Sequence, residues 1–211
     1  MCGRFTGFSI DDTRDIISVI KSSDMANSEG LAVDAKFEGE VFPSDIVPVL
    51  VPSKQGEEEV ISAKAMKWGY PLFANHGKIL AKPRLVINAK AETAASLQMW
   101  RESVATRRCI VPSNGFYEWQ KNRGGKRIKL LFNTSGKKAL FMAAIYKEFA
   151  YNGCPKIAHF SILTTEANES ICHVHNRMPV VLLPGEFDDW FGDNWADLFD
   201  RSLLELDNAA V

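Results

Sequence analysis

Gly115-Phe116-Tyr117-Glu118-Trp119-Gln120 is followed by the turn residues Asn122-Arg123-Gly124-Gly125, a second run from Ile128 to Phe132, another turn at Asn133-Thr134-Ser135-Gly136, and a third run from Ala139 to Tyr146. Aromatic and branched side chains pack well on a pleated surface, and Asn and Gly accept the backbone angles of tight turns. The stretch therefore reads as consecutive antiparallel strands. Further strand-like runs occupy Cys2 to Phe8, Ile46 to Val51, Val60 to Trp68, Leu85 to Asn88, Cys109 to Val111 and Ile157 to Thr164. Asp11-Asp12 can cap a helix bearing Ile16, Val19 and Ile20 at helical spacing, and Ser22 to Glu40 reads as a polar surface loop. Further short helices are expected at Thr93 to Val104, Glu166 to Cys172, Gly185 to Phe191 and Asn194 to Leu204. Many short strands with hairpin spacing and only peripheral helices predict an α+β fold. Its core would be a mostly antiparallel, curled or barrel-like sheet.

The chain has 211 residues, 46% apolar and 24% charged, which suits one packed domain over 1–211 and excludes collagen, low-complexity disorder and a disulfide scaffold. No apolar run approaches the roughly 20 residues of a membrane span, and the first residues lack a signal-peptide layout. No membrane association is expected. Cys2, Cys109, Cys154 and Cys172 are widely spaced, as expected of free thiols in a reducing compartment. The net charge of −1 conceals an asymmetry. Gly185 to Val211 holds eight acids and one base, and is read as an acidic, helical, solvent-facing tail; the remaining body carries a net +6. That body can hold a local patch for phosphates.

Four short segments could carry chemistry. Removal of Met1 would leave Cys2 as the N-terminus, with an α-amine of pKa about 7.7–8.0 and so substantially neutral at physiological pH. Amine and thiol on one residue can condense with an aldehyde to a Schiff base and then a five-membered thiazolidine, which no internal cysteine can do. The plainer reading is a cysteine at position 2 without chemistry of its own. In Asn88-Ala89-Lys90-Ala91-Glu92-Thr93, Asn88 can orient a reactive group and Lys90 can meet a phosphate, or the segment is a polar strand end leading into a helix. Glu118 sits between two aromatics, where desolvation would suit it to proton transfer. Strand alternation instead favours a solvent-facing Glu118. His175 can serve as an acid–base group with Arg177 as an anion-binding neighbour. Cys172, His173 and His175 make a poor metal set, because no second pair elsewhere has zinc-ligand spacing, so no metal or cofactor is expected. His76 and His159 read as structural or exposed.

Met1-Cys2-Gly3-Arg4-Phe5, the segments at 88–93 and 115–119, and His175-Asn176-Arg177-Met178-Pro179 together resemble the SRAP family, the SOS response-associated peptidase-like or abasic-site processing proteins. Met66-Lys67-Trp68-Gly69-Tyr70, Arg108-Cys109-Ile110-Val111-Pro112 and Ile162 to Asn168 extend the likeness from residue 2 to about Phe191. The resemblance implies binding of single-stranded DNA and covalent coupling to abasic sites after self-removal of the initiator Met. By position, Cys2 would be the nucleophile, Asn88 would orient its amine, Glu118 would act in acid–base steps, and His175 would assist sugar ring opening. Arg4, Lys90 and Arg177 would hold phosphates, and Trp68, Leu72 or Phe73 would stack or wedge against bases. For a bacterial chain it implies a cytoplasmic protein that meets the nucleoid through DNA, with no obligate protein partner.

Several positions depart from the family pattern. Lys90 stands where Arg is usual, which keeps the charge and loses the planar fork. Leu72-Phe73 follow Pro71 where relatives often carry tryptophans, Val41-Phe42-Pro43-Ser44-Asp45 replaces a Tyr-Asn-x-Ala-Pro-Thr stretch, and Asn176 replaces an Asp. Two other classes compete with the abasic-site reading: an N-terminal-cysteine peptidase or amidohydrolase, and a non-catalytic single-strand-binding module.

Overall fold

A computed structural model of the protein describes residues 2–8, 35–55, 57–75, 78–122, 124–137, 139–150 and 156–211. Its strands are β1 (Phe5–Thr6), β2 (Glu40–Val41), β3 (Ile46–Gln55), β4 (Glu58–Trp68), β5 (Tyr70–Asn75), β6 (Lys78–Val86), β7 (Asn88–Lys90), β8 (Arg108–Ser113), β9 (Gly115–Lys121), β10 (Arg127–Thr134), β11 (Leu140–Phe149), β12 (Ile157–Glu166), β13 (Arg177–Pro179), β14 (Val181–Leu182) and β15 (Leu206–Ala210). Among the described residues three short α-helices accompany them: α1 (Ala91–Ala94), α2 (Arg101–Thr106) and α3 (Phe187–Phe191).

β12 closes the larger sheet. One edge of its first half pairs with β11 and the other with β4, and the path β4-β3-β8-β11 returns to it, so five strands form a closed ring. The second half of β12 takes β7 on one edge, in parallel, and β13 on the other. A separate five-stranded sheet, in the order β15-β10-β9-β1-β2, lies beside this ring, and β5 and β6 form a hairpin of their own. The fold is therefore α+β and mostly antiparallel with a barrel-like core, as the strand spacing predicts.

Alternation along each strand sorts the apolar residues into two layers. Leu140, Met142 and Ala144 of β11 join Phe160 and Ile162 of β12 in one cluster, together with Phe5, Phe116 and Phe132 from the smaller sheet. The opposite faces of the same strands give Phe141, Ala143, Ile145 and Leu163 to a second cluster, completed by Trp100 and Trp190. Arg108 ties the helices to this second layer: its guanidinium donates to Val104, Ala105, Trp190, Phe191 and Gly192 carbonyls at 2.7–2.9 Å. These are carbonyls that the ends of α2 and α3 leave without helical partners.

Four expectations change. The helix over Thr93 to Val104 is broken into α1 and α2, because the hydroxyl and N–H of Ser96 both bond to the Thr93 carbonyl and tighten the chain into a turn. Glu166 to Cys172 is a strand end and a turn. Asn168 organises it, accepting from the Ser170 N–H at 3.1 Å and donating to the Arg201 and Leu204 carbonyls. Asn194 to Leu204 holds only the 3-10 turn Asp197–Phe199, and the acidic tail ends as strand β15 against β10. The hairpin arm Tyr70–Asn75 has no counterpart in the sequence reading. The helix expected after Asp11, much of the Ser22 to Glu40 loop, Met1, His76 and Cys154 lie outside the described residues. No helix among the described residues is long and apolar enough to cross a membrane.

Candidate active site

The N-terminal strand sets the site. Phe5 pairs with Phe116, and the Tyr117 N–H donates to the Arg4 carbonyl at 2.9 Å. Carrying this antiparallel register one step further brings Gly3 opposite Glu118, with Cys2 next to it. Cys2 is fully buried in the layer between the sheets, and its thiol points back to the Arg4 carbonyl at 3.6 Å. Burial pushes the Cys2 thiol pKa far above its ordinary value, and the negative charge of Glu118 pushes it further. The thiol is thus held in its neutral form.

Glu118 is buried, at 6% exposure. The solvent-facing reading of this residue fails because the face it shares with Phe116 is the inward one: Phe116, Leu130 and Phe132 of the same sheet all lie in the core. Asn88 arrives from the opposite side. β7 is held parallel to β12, with Asn88 beside Ile162, and the Asn88 side-chain amide donates to the Cys2 carbonyl at 2.9 Å. Its Oδ1 is buried and accepts no hydrogen bond from the described residues. A buried acceptor beside the N-terminal residue can receive an N–H from a reacting amine.

His175 lies in the turn leading to β13. Its Nδ1 accepts from the Arg177 backbone N–H at 2.9 Å and lies 3.2 Å from the Arg177 carbonyl; the tautomer that accepts the shorter bond carries its proton on Nε2. The preceding Val174 packs against the cluster that contains Cys2. The Arg177 side chain is engaged in a fork: its two terminal nitrogens meet the Glu92 carboxylate at 2.6 and 2.8 Å, and one also donates to the Thr164 carbonyl at 2.5 Å. Arg177 in turn holds the Glu92 carboxyl below the usual carboxylate range.

The remaining expected residues separate into two groups. Lys90 is exposed on β7, two positions beyond Asn88. Arg4 pairs with Glu40 at 3.0 Å and lies over the rings of Phe42, at 4.3 Å, and Trp119, at 5.1 Å. Phe73 is exposed and Leu72 half-buried on β5. Trp68 is different: it is fully buried, stacked nearly parallel to Phe160 at an interplanar angle of 7° and tilted against Phe5. Its expected stacking on DNA bases is corrected accordingly, since no face of the indole reaches solvent. The Trp68 Nε1–H donates to the Ile87 carbonyl at 3.0 Å, so the ring secures the backbone just ahead of Asn88.

Sequence reasoning missed Glu92 and Thr164 as partners of Arg177, and Glu40 and Phe42 as partners of Arg4. The first lay inside a quoted motif, but nothing local signals an ion pair to a residue 85 positions away. His159 is buried with its Nδ1 at 2.6 Å from the Gly69 carbonyl, a structural role as expected. Among the described residues no group of His, Cys, Asp and Glu could hold a metal.

This geometry supplies a thiol, a carboxylate, an amide and an imidazole from four separate segments. A profile of the SOS response associated peptidase (SRAP) family matches residues 1–209. The chain is 30% identical to the abasic site processing protein YoaM of Bacillus subtilis, across 97% of this chain and 85% of that protein. It is 28% identical to the abasic site processing protein YedK of Escherichia coli, across 90% and 79% respectively. Among solved structures, an X-ray structure of a Bacteroides thetaiotaomicron protein matches with a TM-score of 0.75 over 100% of this chain and 92% of that one, at 20% identity, a likeness of fold.

Proposed function

The chain belongs to the SRAP family, and on that premise we propose that it processes abasic sites in single-stranded DNA by forming a covalent crosslink through Cys2. The observation that carries the reading is the meeting of Asn88 and Glu118 at Cys2, from two different sheets. Met1 is first removed by hydrolysis of the Met1–Cys2 peptide bond, which releases methionine and exposes the Cys2 amine. The open-chain sugar of an abasic site presents an aldehyde. The amine adds to it and loses one water as the Schiff base forms. The neutral thiol then adds across the C=N bond, its proton passing to nitrogen, and the thiazolidine closes. The net loss is one water.

In this scheme the Asn88 amide fixes the Cys2 carbonyl, and its Oδ1 receives an N–H of the freed amine. Glu118 takes and returns protons beside the amine, while burial, and after it the negative charge of Glu118, keeps the thiol protonated until ring closure. His175, with its proton on Nε2, donates to the sugar oxygen as the ring opens. Arg4 and Lys90 meet phosphates on either side, and Phe73 offers a stacking surface. Arg177 reaches a phosphate only by sharing its fork with Glu92. Incubation with single-stranded DNA bearing one abasic site should give a band that survives a denaturing gel, without added metal or nucleotide. No such band from protein that has lost Met1 would refute the reading. Turnover of amide substrates in trans would instead favour the N-terminal-cysteine amidohydrolase.

A further inference from the structure

Apart from Arg4, which reaches over Trp119, the outer face of the β9–β10 hairpin has no part in the function proposed above. Phe116, Glu118, Leu130 and Phe132 point inward, so the alternate residues form the other face. Across the hairpin these are paired as Tyr117 with Leu131, Trp119 with Lys129, and Lys121 with Arg127. Cations and rings interleave: the Lys129 ammonium lies 4.1 Å from the Tyr117 ring centre, and the Arg4 guanidinium lies between Phe42 and Trp119. Phe42 is 41% exposed, and Lys121 and Arg127 are exposed at the far end.

The charges do not cancel. Among the described residues Arg4, Lys36, Lys121, Arg127 and Lys129 lie along this face against two carboxylates: Glu40, which salt-bridges Arg4 and Lys129, and Asp45, which pairs with Lys36 and accepts from the Phe42 N–H. Asp207, opposite Asn133, sits at the other end of β10. The surplus of three positive charges follows a line that begins two residues from Cys2. Polyanions with flat bases are the ligands such a line fits, because cations neutralise phosphates while rings accept unpaired bases of any sequence.

We infer that this face is a track for the single strand flanking the abasic site, running from Phe42 and Arg4 along the hairpin to Lys121 and Arg127. The inference rests on the abasic-site reading for its point of origin at Cys2. It assigns the strand's extended contacts to the outer face of the smaller sheet, where Lys121, Arg127 and Lys129 hold phosphates and Phe42 stacks a base.

The test uses the full chain, an unmodified oligothymidylate and fluorescence anisotropy across a salt series. In Lys121→Gln/Arg127→Gln two phosphate contacts are lost, so the slope of log affinity against log salt should become shallower by about 1.4. Phe42→Ala should weaken binding about fivefold or more with the slope unchanged. A double variant within twofold of the parent in affinity, with the same slope, would overturn the track. Equal salt-sensitive binding of polyglutamate would also overturn it, by assigning the face to acidic peptides. Crosslinking of the parent to an abasic strand is scored separately. Its absence refutes the chemistry at Cys2, whereas the salt series alone decides the track.

Discussion

Asn88 and Cys2 stand 86 positions apart and are joined by an amide-to-carbonyl hydrogen bond of 2.9 Å. The bond links the start of the chain to a strand that β12 holds in parallel register, so the barrel itself sets where the N-terminal residue lies. The same amide keeps its oxygen buried and available to the Cys2 amine. Asn88→Ala removes both contacts. Losing a net hydrogen bond worth about 1–1.5 kcal/mol should slow crosslinking by roughly tenfold, with affinity for unmodified single strands unchanged. Single-turnover kinetics at saturating abasic DNA measure the rate; equal rates in parent and variant would remove Asn88 from the mechanism.

Glu118 raises the Cys2 thiol pKa through its charge, second to burial. Glu118→Gln should therefore lower the thiol pKa, so that alkylation of Cys2 at alkaline pH accelerates. Crosslinking should slow in the same variant, because the proton acceptor beside the amine is gone. Opposite changes in the two rates are the signature. Parallel slowing of both would mean that Glu118 acts only in folding.

Trp68 is a structural residue here, and its substitutions should read out as stability. Trp68→Ala should cost about 3–5 kcal/mol in urea unfolding. Trp68→Phe keeps a ring but loses the bond to the Ile87 carbonyl, and should cost about 1 kcal/mol from that bond beyond the lost ring volume. A Trp68→Ala protein of unchanged stability but weakened DNA binding would restore the stacking role.

The fork between Arg177 and Glu92 predicts a pH dependence. The Glu92 pKa is lowered in the folded protein, first by its hydrogen bonds to Arg177. The fork's contribution is therefore present above the unfolded carboxyl pKa and lost as pH falls through the lowered folded value. Glu92 is 42% exposed, so solvent screens the pair and its worth is at most about 1 kcal/mol. Glu92→Gln should lower stability at neutral pH by that amount and leave it equal to the parent in strong acid. A stability difference that persists unchanged into strong acid would count against the fork.

The strands and the site differ in how far the sequence discloses them. β8 to β12 were legible because turn residues punctuate runs of branched and aromatic side chains, and both faces of β11 and β12 are apolar. β15 was not. Leu206-Asp207-Asn208-Ala209-Ala210 has little strand propensity and pairs only because β10 presents an open edge to it. The chemical residues Cys2, Asn88, Glu118 and His175 stood out by type and motif. Their surroundings did not, since the inward turn of Glu118 depends on which face of β9 the barrel covers. Trp68 shows the same limit from the other side: an aromatic in a motif looks identical whether it faces a ligand or Phe160.

A thiazolidine at Cys2 and a Schiff base differ in how the intact mass of the DNA adduct responds to borohydride. The thiazolidine adduct should have the mass of the chain without Met1, plus the abasic strand, less one water, and borohydride should leave it unchanged because the ring has no C=N bond to reduce. Cys2→Ser should give only an adduct that borohydride must trap, heavier by two hydrogens than the Schiff base. A parent adduct that requires borohydride trapping, or a Cys2→Ala protein that crosslinks as well as the parent, would rule out the thiazolidine at Cys2.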